Sequence, residues 1–452
     1  MISSEIMKNL NTKNPVVQTM YTSDPAPMVY NDTVYLYTGH DEEDATWFVM
    51  NDWRCFSSTD MVNWTDHGSP LSYHEFSWSR GDAWAGQCIE RNGKFYFYVP
   101  MNKVGGHMAV GVGIADSPIG PFKDAIGHPL VETGQGDIDP TVYIDDDGQA
   151  YLYWGNPCLW YVKLNDDMIS YDETVGIIQI PLTQESFGKR EGNPERATLY
   201  EEGPWFYKRK GLYYMIFAAS GIPENIAYST STSPTGPWIY RGVIMPTQGG
   251  SFTNHPGIVD YKGNSYFFYH NGALPKGGGF TRSVCVEQFM YNVDGTFPTI
   301  NMTLEGVDPV GTLNPYIRNE AETIAWEIGI RTEPCNQGGM NVCNIDDGDY
   351  IKVCNVDFGD IGADTFTASV SSADKGGLIE IHLDSPEGKL IGILPVTSTG
   401  DWNQWRTITT NITGAIGIHN LYFLFKGEAS GNLFKVDYWK FEHTVPPGVI
   451  QA

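Results

Sequence analysis

The sequence is poor in basic residues and has no long apolar run. Its 452 residues include 28 Lys and Arg against 54 Asp and Glu, which gives a formal net charge of −26. Nucleic-acid backbones and anionic membranes repel such a surface, so neither is expected as a partner. No stretch approaches the roughly 18 consecutive apolar residues that a membrane-spanning helix needs. The composition therefore argues against a nucleic acid or an anionic membrane as the main partner, and no membrane-spanning helix is expected.

The N-terminal segment lacks the apolar core of a signal peptide, and the cysteines lack metal-site spacing. The first 18 residues, MISSEIMKNLNTKNPVVQ, predict a cytoplasmic protein; the alternative is a secreted protein whose signal has been removed. The seven cysteines form no Cys-x-x-Cys pair, which favours free, buried thiols in a reducing compartment. The alternative is one disulfide among Cys335, Cys343 and Cys354.

Glycine, proline and aromatic side chains are abundant, with 50 Gly, 27 Pro, 26 Tyr, 21 Phe and 13 Trp. They recur in one pattern, a turn dipeptide followed by an aromatic-rich strand, which is a hairpin signal. A period of about 52 to 63 residues with several strands per unit is typical of propeller blades. We therefore expect an all-β fold that begins with a five-bladed β-propeller. The five copies occupy residues 31–37, 92–98, 147–153, 210–215 and 262–269.

The hairpin pattern fades after about residue 300. Residues 306–316 are rich in Gly and Pro and are predicted to be a linker. Short alternating runs follow, such as 378–383 and 421–425, and about 130 residues of such strands favour a β-sandwich of the jelly-roll type. The predicted domains are therefore a propeller at 1–305, the linker, and a sandwich at 317–452.

Three acidic residues precede strands at the same phase of the repeat. Asp24 comes before the first blade strand, Asp139 before the third and Glu202 before the fourth. In a propeller this phase lies near the central axis, so the carboxylates are expected to converge in one pocket. Repulsion would then split their pKa values, as the acid and the base of glycoside hydrolysis require. Taken singly, each of these acids is more typical of a turn or a strand-end cap. Joint binding of a metal ion by the three acids is a further alternative to catalysis.

Several motifs together point to one known family. They are Ser23-Asp24-Pro25, Ile138-Asp139-Pro140-Thr141, Glu202-Gly203-Pro204 and the Ser-Pro-x-Gly-Pro-aromatic echoes at 117–122 and 233–238. In these motifs the N-terminal 300 or so residues resemble glycoside hydrolase family 43, which implies a five-bladed propeller and an inverting mechanism. The resemblance makes Asp24 the general base, Glu202 the general acid, and Asp139 the residue that orients Glu202 and raises its pKa. Inversion predicts carboxyl groups of Asp24 and Glu202 about 6.5–9.5 Å apart.

The same resemblance implies four further positions at the pocket. Trp84 would form a wall on which a sugar ring packs, unless it is a buried core residue. Arg282 would bond sugar hydroxyls and tune the base, with a surface charge pair as the alternative. His255 would lie near the propeller axis and help to hold a calcium ion or a water cluster, with a satisfied core histidine as the alternative. Asn156 is the fourth predicted substrate-binding position.

Residues 35–42 and 151–156 are most similar to the arabinofuranosidase branch, which removes L-arabinofuranosyl decorations from xylan. The resemblance thus implies an exo-acting α-L-arabinofuranosidase with arabinoxylan or its oligosaccharides as substrate. The alternatives are a β-D-xylosidase or a dual enzyme and, from another class, a catalytically inactive carbohydrate-binding protein. A fructan-acting enzyme is disfavoured because its Asn-Asp-Pro-Asn-Gly signature is absent.

The tail contains four motifs of its own, at 319–322, 346–350, 402–405 and 434–439. With them, residues 317 to 443 resemble a family 6 carbohydrate-binding module. The resemblance implies a structural calcium ion held by oxygen atoms, with Trp402 as the sugar-stacking ring. No organic cofactor is expected. The implied calcium ligands are Glu320, Glu322 and Asp437.

Two positions of the tail depart from the pattern of that family. Asn344 stands where the family usually has an aromatic residue, and Lys435 stands where it usually has a sugar-binding asparagine. Three roles therefore stay open for this domain: glycan binding at the usual cleft, binding at another face, and bracing of the propeller.

Overall fold

The computed structural model of the protein describes residues 11–428 and 432–443. Almost all regular structure in these ranges is β-strand, as predicted. The exceptions are a 3-10 turn at Tyr73–Glu75 and one short helix, α1 (Gln184–Phe187). No helix in this part of the chain is long and apolar enough to cross a membrane. The outer ends of the predicted domains, at 1 and 452, lie outside the described residues.

Residues 21–289 form five antiparallel sheets that follow one another along the chain. The strands of the first two sheets are β1 (Tyr21–Tyr30), β2 (Thr33–Asp41), β3 (Asp52–Ser58), β4 (Trp64–Asp66) and β5 (Leu71–Ser72), then β6 (Ser79–Gly81), β7 (Gln87–Arg91), β8 (Lys94–Lys103), β9 (Met108–Ala115) and β10 (Lys123–Asp124). Those of the third and fourth are β11 (Thr141–Ile144), β12 (Ala150–Trp154), β13 (Leu159–Leu164) and β14 (Ile178–Ile180), then β15 (Tyr200–Arg209), β16 (Leu212–Ala219), β17 (Asn225–Ser231) and β18 (Ile239–Met245). The fifth has β19 (Gly257–Tyr261), β20 (Asn264–Asn271) and β21 (Ser283–Phe289).

These sheets surround a common centre, as in a propeller. Strands of neighbouring sheets contact each other in chain order, β1 with β7, β7 with β11, and β11 with β15. The fifth sheet returns to the first, because β19, β20 and β21 all pack against β1. This closure brings the starts of β1, β11 and β15, which carry the three predicted acids, to the same centre.

The repeated hairpin motif forms one turn in each sheet, between a centre-proximal strand and the next strand. In four of these turns both central residues have positive φ, the conformation of a type I′ turn whose twist matches that of the strands. The third turn is longer, because the Asp145 amide bonds to the Gln149 carbonyl at 2.9 Å and Gly148 takes the positive φ. The four paired turns are Asn31-Asp32, Asn92-Gly93, Lys210-Gly211 and Lys262-Gly263.

The C-terminal region is a sandwich of two sheets, in agreement with the prediction. Its strands are β22 (Asn319–Glu320), β23 (Thr323–Ile324), β24 (Trp326–Ile328), β25 (Arg331–Pro334), β26 (Met340–Cys343), β27 (Tyr350–Asp357), β28 (Ala363–Ser371), β29 (Gly377–Leu383), β30 (Lys389–Val396), β31 (Arg406–Ala415), β32 (Ile418–Lys426) and β33 (Lys435–Glu442). One sheet has the order β25-β26-β33-β28-β31 with β22 on β33, and the other has the order β24-β27-β32-β29-β30; β23 joins neither. Buried side chains of both sheets, such as Phe366 and Phe423, form the core of the sandwich.

The sandwich is joined to the propeller by backbone pairing. Strand β23 extends the first propeller sheet through antiparallel pairing with β4. The predicted linker, 306–316, is itself held on both sides, because the Val310 amide bonds to Asp60 of the propeller and the Leu313 amide to Asn355 of the sandwich. The domain boundaries stay a prediction, but the two domains share a continuous hydrogen-bonded interface.

An apolar cluster fills the junction between the domains. It includes Val16, Phe56 and Trp64 from the propeller side and Cys354 from the sandwich. Cys354 is one of seven cysteines whose thiols are all free, as expected. At the edge of this cluster the Asn63 side chain pairs twice with the Cys354 backbone, with N–O distances of 2.9 and 2.8 Å.

Asn63→Ala is predicted to destabilise the protein by loosening this junction. Asn63 is buried, and its loss leaves the Cys354 N–H and C=O without partners. An unpaired buried backbone group costs about 1–3 kcal/mol, so we expect a loss on the order of 2–5 kcal/mol. Differential scanning calorimetry measures this loss of stability as a lower melting temperature, with the exposed Asn165→Ala as control. An unchanged melting temperature for Asn63→Ala would contradict the interpretation.

Candidate active site

A pocket of about 230 Å³ lies at the centre of the propeller and contains all three predicted acids. The sheets position the acids through irregular backbone at their strands. Asp24 and Asp139 have φ values of 49° and 57°, which is rare for a residue with a side chain. The pairing of β1 with β2 shifts between Ser23 and Ala26, and that of β15 with β16 shifts on both sides of Glu202. Such bulges redirect a side chain out of the regular alternation, here into the pocket.

Asp24 is 7% exposed and lies in a cationic environment. Its Oδ1 accepts a hydrogen bond from Arg282 Nη1 at 3.2 Å, and the Ser23 hydroxyl donates to Oδ2 at 3.0 Å. Burial would raise the pKa of Asp24, but the charge of Arg282, aided by the hydrogen bond from Ser23, brings the pKa below its ordinary value. Asp24 is therefore ionised, as a general base must be.

Arg282 is held by a second carboxylate. Asp41, 1% exposed, accepts from Arg282 Nε at 2.9 Å through one oxygen and from Nη2 at 2.8 Å through the other. This two-point contact fixes the guanidinium plane, so that Nη1 points at Asp24. The surface charge pair considered for Arg282 is thus wrong, because Arg282 is 4% exposed.

Glu202 and Asp139 lie in a more acidic part of the pocket. Burial raises the pKa of Glu202; the amide of Asn156, which donates to its Oε2 at 2.5 Å, opposes the rise, and the charge of Asp24 adds to it. Burial and then repulsion by Glu202 and Asp24 raise the pKa of Asp139 strongly. Asp139 Oδ2 accepts from the Gly203 amide at 2.9 Å, which ties it to the backbone that carries Glu202.

Two buried histidines lie near the acids: His255 lines the pocket, and His270 accepts a hydrogen bond from the Asp24 amide at 3.2 Å. The pKa of His255 is lowered by burial, and burial followed by the charge of Arg282 lowers that of His270 to about 3. Both rings are therefore neutral near pH 7. Gly203, with φ 59°, faces His255: a Cβ there would lie 3.1 Å from His255 Nδ1. His255 thus lines the pocket next to Gly203, and its axial position and metal role stay predictions.

Aromatic side chains form the mouth of the pocket. Trp84 is half-buried and lines it, with its Nε1 donating to the Phe48 carbonyl at 3.2 Å. Phe48 stacks edge-on against Trp84 at 6.0 Å and against Phe280 at 4.9 Å. Trp47 is 60% exposed at the same rim. Such rings offer a surface for the C–H face of a sugar, so the pocket suits a glycan.

Two buried acids that contact pocket residues were not singled out for a role by the sequence. Asp41 belongs to the Tyr-Thr-Gly-His-Asp segment used for the family resemblance, so a signal for it existed. Glu224, 3% exposed, accepts from the Asn254 amide at 2.7 Å, and its Oε1 has no partner. Burial and the charge of Glu202 raise its pKa well above the ordinary value. Glu224 precedes the third strand of its sheet rather than the first, so the repeat could not reveal it.

The predicted glycan cleft of the sandwich carries a positive charge. Lys435 Nζ lies 5.8 Å from the centre of the half-buried Trp402 ring and also forms an ion pair with Glu333. Asn344 is exposed and donates to the Gly329 carbonyl at 3.3 Å. A lysine therefore lies over the Trp402 ring, and an exposed asparagine stands at position 344.

The three predicted calcium ligands are neighbours in the sandwich. Arg318 contacts Glu320 at 2.7 Å and Asp437 at 3.2 Å. One oxygen of Glu322 and one of Asp437 are buried without a hydrogen-bond partner. Burial, followed by the charge of Glu320, raises the pKa of Glu322 to about 9. Unpaired buried carboxylate oxygens fit a hard cation such as calcium.

Another group of potential metal ligands lies on β2, on β3 and in the loop between them. Among the described residues, His40, Glu42 and Asp52 are the one group of His, Cys, Asp or Glu whose ligand atoms all lie within 4.8 Å of one another. His40 and Asp52 already bond each other at 2.7 Å, and Asn51 donates to Glu42 at 2.8 Å. These polar atoms thus have protein partners.

Comparison with known proteins decides the family. The family model named Glycosyl hydrolases family 43 matches residues 12–297, and that of the family 6 carbohydrate binding module matches residues 320–443. The chain belongs to glycosyl hydrolase family 43. A family 43 relative, the arabinoxylan arabinofuranohydrolase of Bacillus subtilis strain 168, is 36% identical, over 97% of this chain and 94% of the relative.

Solved structures of family 43 agree with this architecture. The arabinoxylan arabinofuranohydrolase from Bacillus subtilis, in complex with cellotetraose, matches with a TM-score of 0.84 at 34% identity, over 97% of this chain and 99% of that one. A family 43 β-xylosidase/α-arabinofuranosidase from a compost microbial metagenome, in complex with xylotriose and in a calcium-free form, matches with a TM-score of 0.58 at 30% identity, over 64% of this chain and 97% of that one. The first match extends over both domains.

Arg282→Met is predicted to shift the whole pH profile of this family 43 chain to higher pH. Arg282 lowers the pKa values of Asp24 and Glu202, so its loss raises both. The base then stays protonated to higher pH, which moves the acid limb up, and the acid keeps its proton to higher pH, which moves the basic limb up. The measurement is kcat/KM against pH on a nitrophenyl glycoside. The exposed Arg241→Met is the control, and an unshifted profile for Arg282→Met would contradict the assignment.

Proposed function

We propose that the protein is an inverting, exo-acting α-L-arabinofuranosidase that removes arabinofuranosyl side chains from arabinoxylan or its oligosaccharides. The observation that carries the proposal is the division of the carboxyl groups in one pocket. Asp24 is held ionised by Arg282, whereas the pKa of Glu202 is raised by burial. A base and an acid that titrate apart at one sugar-sized site are the requirement for glycoside hydrolysis.

In this mechanism Asp24 removes a proton from a water molecule, whose oxygen attacks the anomeric carbon of the bound sugar. Glu202 donates its proton to the glycosidic oxygen, and the bond from that oxygen to the anomeric carbon breaks. Water attacks the face opposite the leaving group, so the released sugar has inverted configuration. Asp139 accepts a hydrogen bond from the Gly203 amide and so would orient the backbone that carries Glu202.

The substrate class is supported by the relatives and by the shape of the site. The Bacillus subtilis relative that aligns over 97% of this chain is an arabinoxylan arabinofuranohydrolase. The pocket of about 230 Å³ is bounded by the aromatic mouth and suits a terminal sugar unit. The net charge of −26 is compatible with a neutral glycan, since no polyanion has to approach.

The second candidate activity is β-D-xylosidase, alone or combined with the first. It is favoured by the match to a structure of a β-xylosidase/α-arabinofuranosidase over the propeller. Paired assays on nitrophenyl arabinofuranoside and nitrophenyl xyloside separate the two activities. Faster cleavage of the xyloside would overturn the preferred assignment.

Glu202→Gln is predicted to lower kcat on arabinoxylan oligosaccharides by roughly 10²–10⁴-fold, the usual contribution of a general acid. The amide has a similar shape but no acidic proton to deliver. Released arabinose is quantified by chromatography, and the anomer first formed by wild type is identified by proton NMR. The exposed Glu185→Gln serves as a charge-matched control. Full activity of Glu202→Gln would refute its role, and a retained anomer would refute inversion.

A structural calcium ion in the sandwich forms a further part of the proposal. It is supported by the unpaired buried oxygens of Glu322 and Asp437. Glu320, Glu322 and Asp437 would hold the ion, whose charge would offset the repulsion among the three carboxylates. The ion supplies no chemistry to the propeller pocket in this scheme.

Chelation is predicted to lower the melting temperature of the protein, and added calcium to restore it. Because the pKa of Glu322 is raised to about 9 without the ion, binding must release its proton. Calcium affinity should therefore increase with pH. Differential scanning fluorimetry and calorimetric titration with CaCl₂ measure both effects. Glu322→Gln should abolish the calcium-dependent shift, whereas the exposed Asp360→Asn should retain it; a calcium response that survives in Glu322→Gln would disprove the site.

A further inference from the structure

The loop before β15 places two arginines beside Glu201, the neighbour of the proposed general acid Glu202. Arg190 and Arg196 both form ion pairs with Glu201, the residue that precedes Glu202 on the strand. Glu201 is 8% exposed, whereas the Arg196 side chain is 32% exposed. The pairing holds the guanidinium of Arg196 beside the pocket while leaving its second nitrogen free for another contact.

That second nitrogen contacts Asn156. Arg196 Nη2 donates to Asn156 Oδ1 at 3.2 Å, and Asn156 Nδ2 donates to Glu202 Oε2 at 2.5 Å. An arginine has donors and no acceptor, so the atom of Asn156 that faces it must be the oxygen. The amide nitrogen is thereby forced to face Glu202. Arg196 thus sets which end of the Asn156 amide the general acid meets.

The orientation of the amide determines which oxygen of Glu202 carries the proton. Oε2 accepts an N–H from Asn156 and therefore cannot place its own proton in the same direction. The acidic proton is left on Oε1, where it can be delivered to the leaving oxygen. With the amide reversed, Asn156 Oδ1 would face Glu202 and accept that proton itself, which would withdraw it from the reaction.

We propose that Arg196 is a positioning residue for the general acid, which locks the Asn156 amide so that the proton of Glu202 stays on Oε1 and points to the substrate. This inference rests on the proposed role of Glu202. Arg196 touches neither the reacting bond nor the water. It acts through Asn156, and Glu201 holds it in place.

Arg196 also affects the titration of Glu202, among several charges around that group. Glu202 faces the carboxyl groups of neighbouring strands and loops, the hydroxyl of Tyr200, and two cations. Arg196 and the Asn156 amide both lower the pKa of Glu202. Removal of Arg196 therefore raises that pKa, and the basic limb of the pH profile moves to higher pH. The facing ionisable groups are Asp24, Asp139, Glu224, Tyr200, Arg282 and Arg196.

The test compares leaving groups in the full-length enzyme. In Arg196→Met, kcat should fall at least tenfold on arabinoxylan oligosaccharides, whose leaving oxygen needs a proton, and by less than about twofold on dinitrophenyl arabinofuranoside, whose leaving group departs as an anion. Only the basic limb should move up, because Arg196 is not among the groups that chiefly set the pKa of Asp24. Arg196→Lys, which keeps a charged donor, should recover much of the activity.

Two further variants keep the result interpretable. Lys189→Ala, an exposed residue of the same loop that pairs with Glu191, should behave as wild type. In an Asn156→Leu background the Arg196→Met change should have almost no further effect on kcat, since the two residues act in series. An equal loss on both leaving groups, an unmoved basic limb, or full additivity with Asn156→Leu would overturn the proposal. Absence of wild-type arabinofuranosidase activity would instead overturn the proposed function on which it rests.

Discussion

Three carboxylates buried at one propeller centre repel each other, and the surrounding structure depends on how that repulsion is relieved. Among these three carboxylates, only Asp24 accepts a hydrogen bond from Arg282. Arg282, fixed by Asp41, contacts Asp24 and keeps it ionised. Asp139 and Glu202 receive single N–H donors instead, from Gly203 and Asn156, so burial dominates and raises their pKa values. The asymmetry between one guanidinium and two amides is what separates a base from an acid.

That asymmetry requires a rigid frame, because cations and carboxylates in close contact must not drift apart. The closed ring of sheets supplies it, and the sandwich adds a strand to the first sheet through β23. Arg331 of the sandwich reaches the Thr19 carbonyl at 2.8 Å and Glu43 at 2.9 Å, on the same loop as Trp47 and Phe48 of the pocket mouth. The C-terminal domain therefore contacts the loop that carries the pocket mouth, and Lys435 lies over the Trp402 ring of its predicted glycan cleft.

Much of the fold and the core of the site could be predicted from sequence, because their signals are local. The turn dipeptides give positive φ at adjacent residues, and the aromatic runs after them give buried strands, so the repeat and the phase of Asp24, Asp139 and Glu202 could be read along the chain. Glu224 and Arg196 could not be found in this way. They approach Glu202 from a strand turn and a loop whose conformations depend on long-range contacts, and no periodic pattern marks either position.

The all-β architecture, the family, and the place of the three acids with Arg282, Trp84 and His255 at the pocket follow from local sequence, because hairpin chemistry and short motifs carry that information within a few residues. The contacts between these groups depend instead on the folded chain. Asp41 lies 241 residues from Arg282, and Asn156 lies 40 residues from Arg196 and 46 from Glu202. The protonation of each carboxyl group depends on these neighbours at hydrogen-bond distance, and the folded chain alone establishes them.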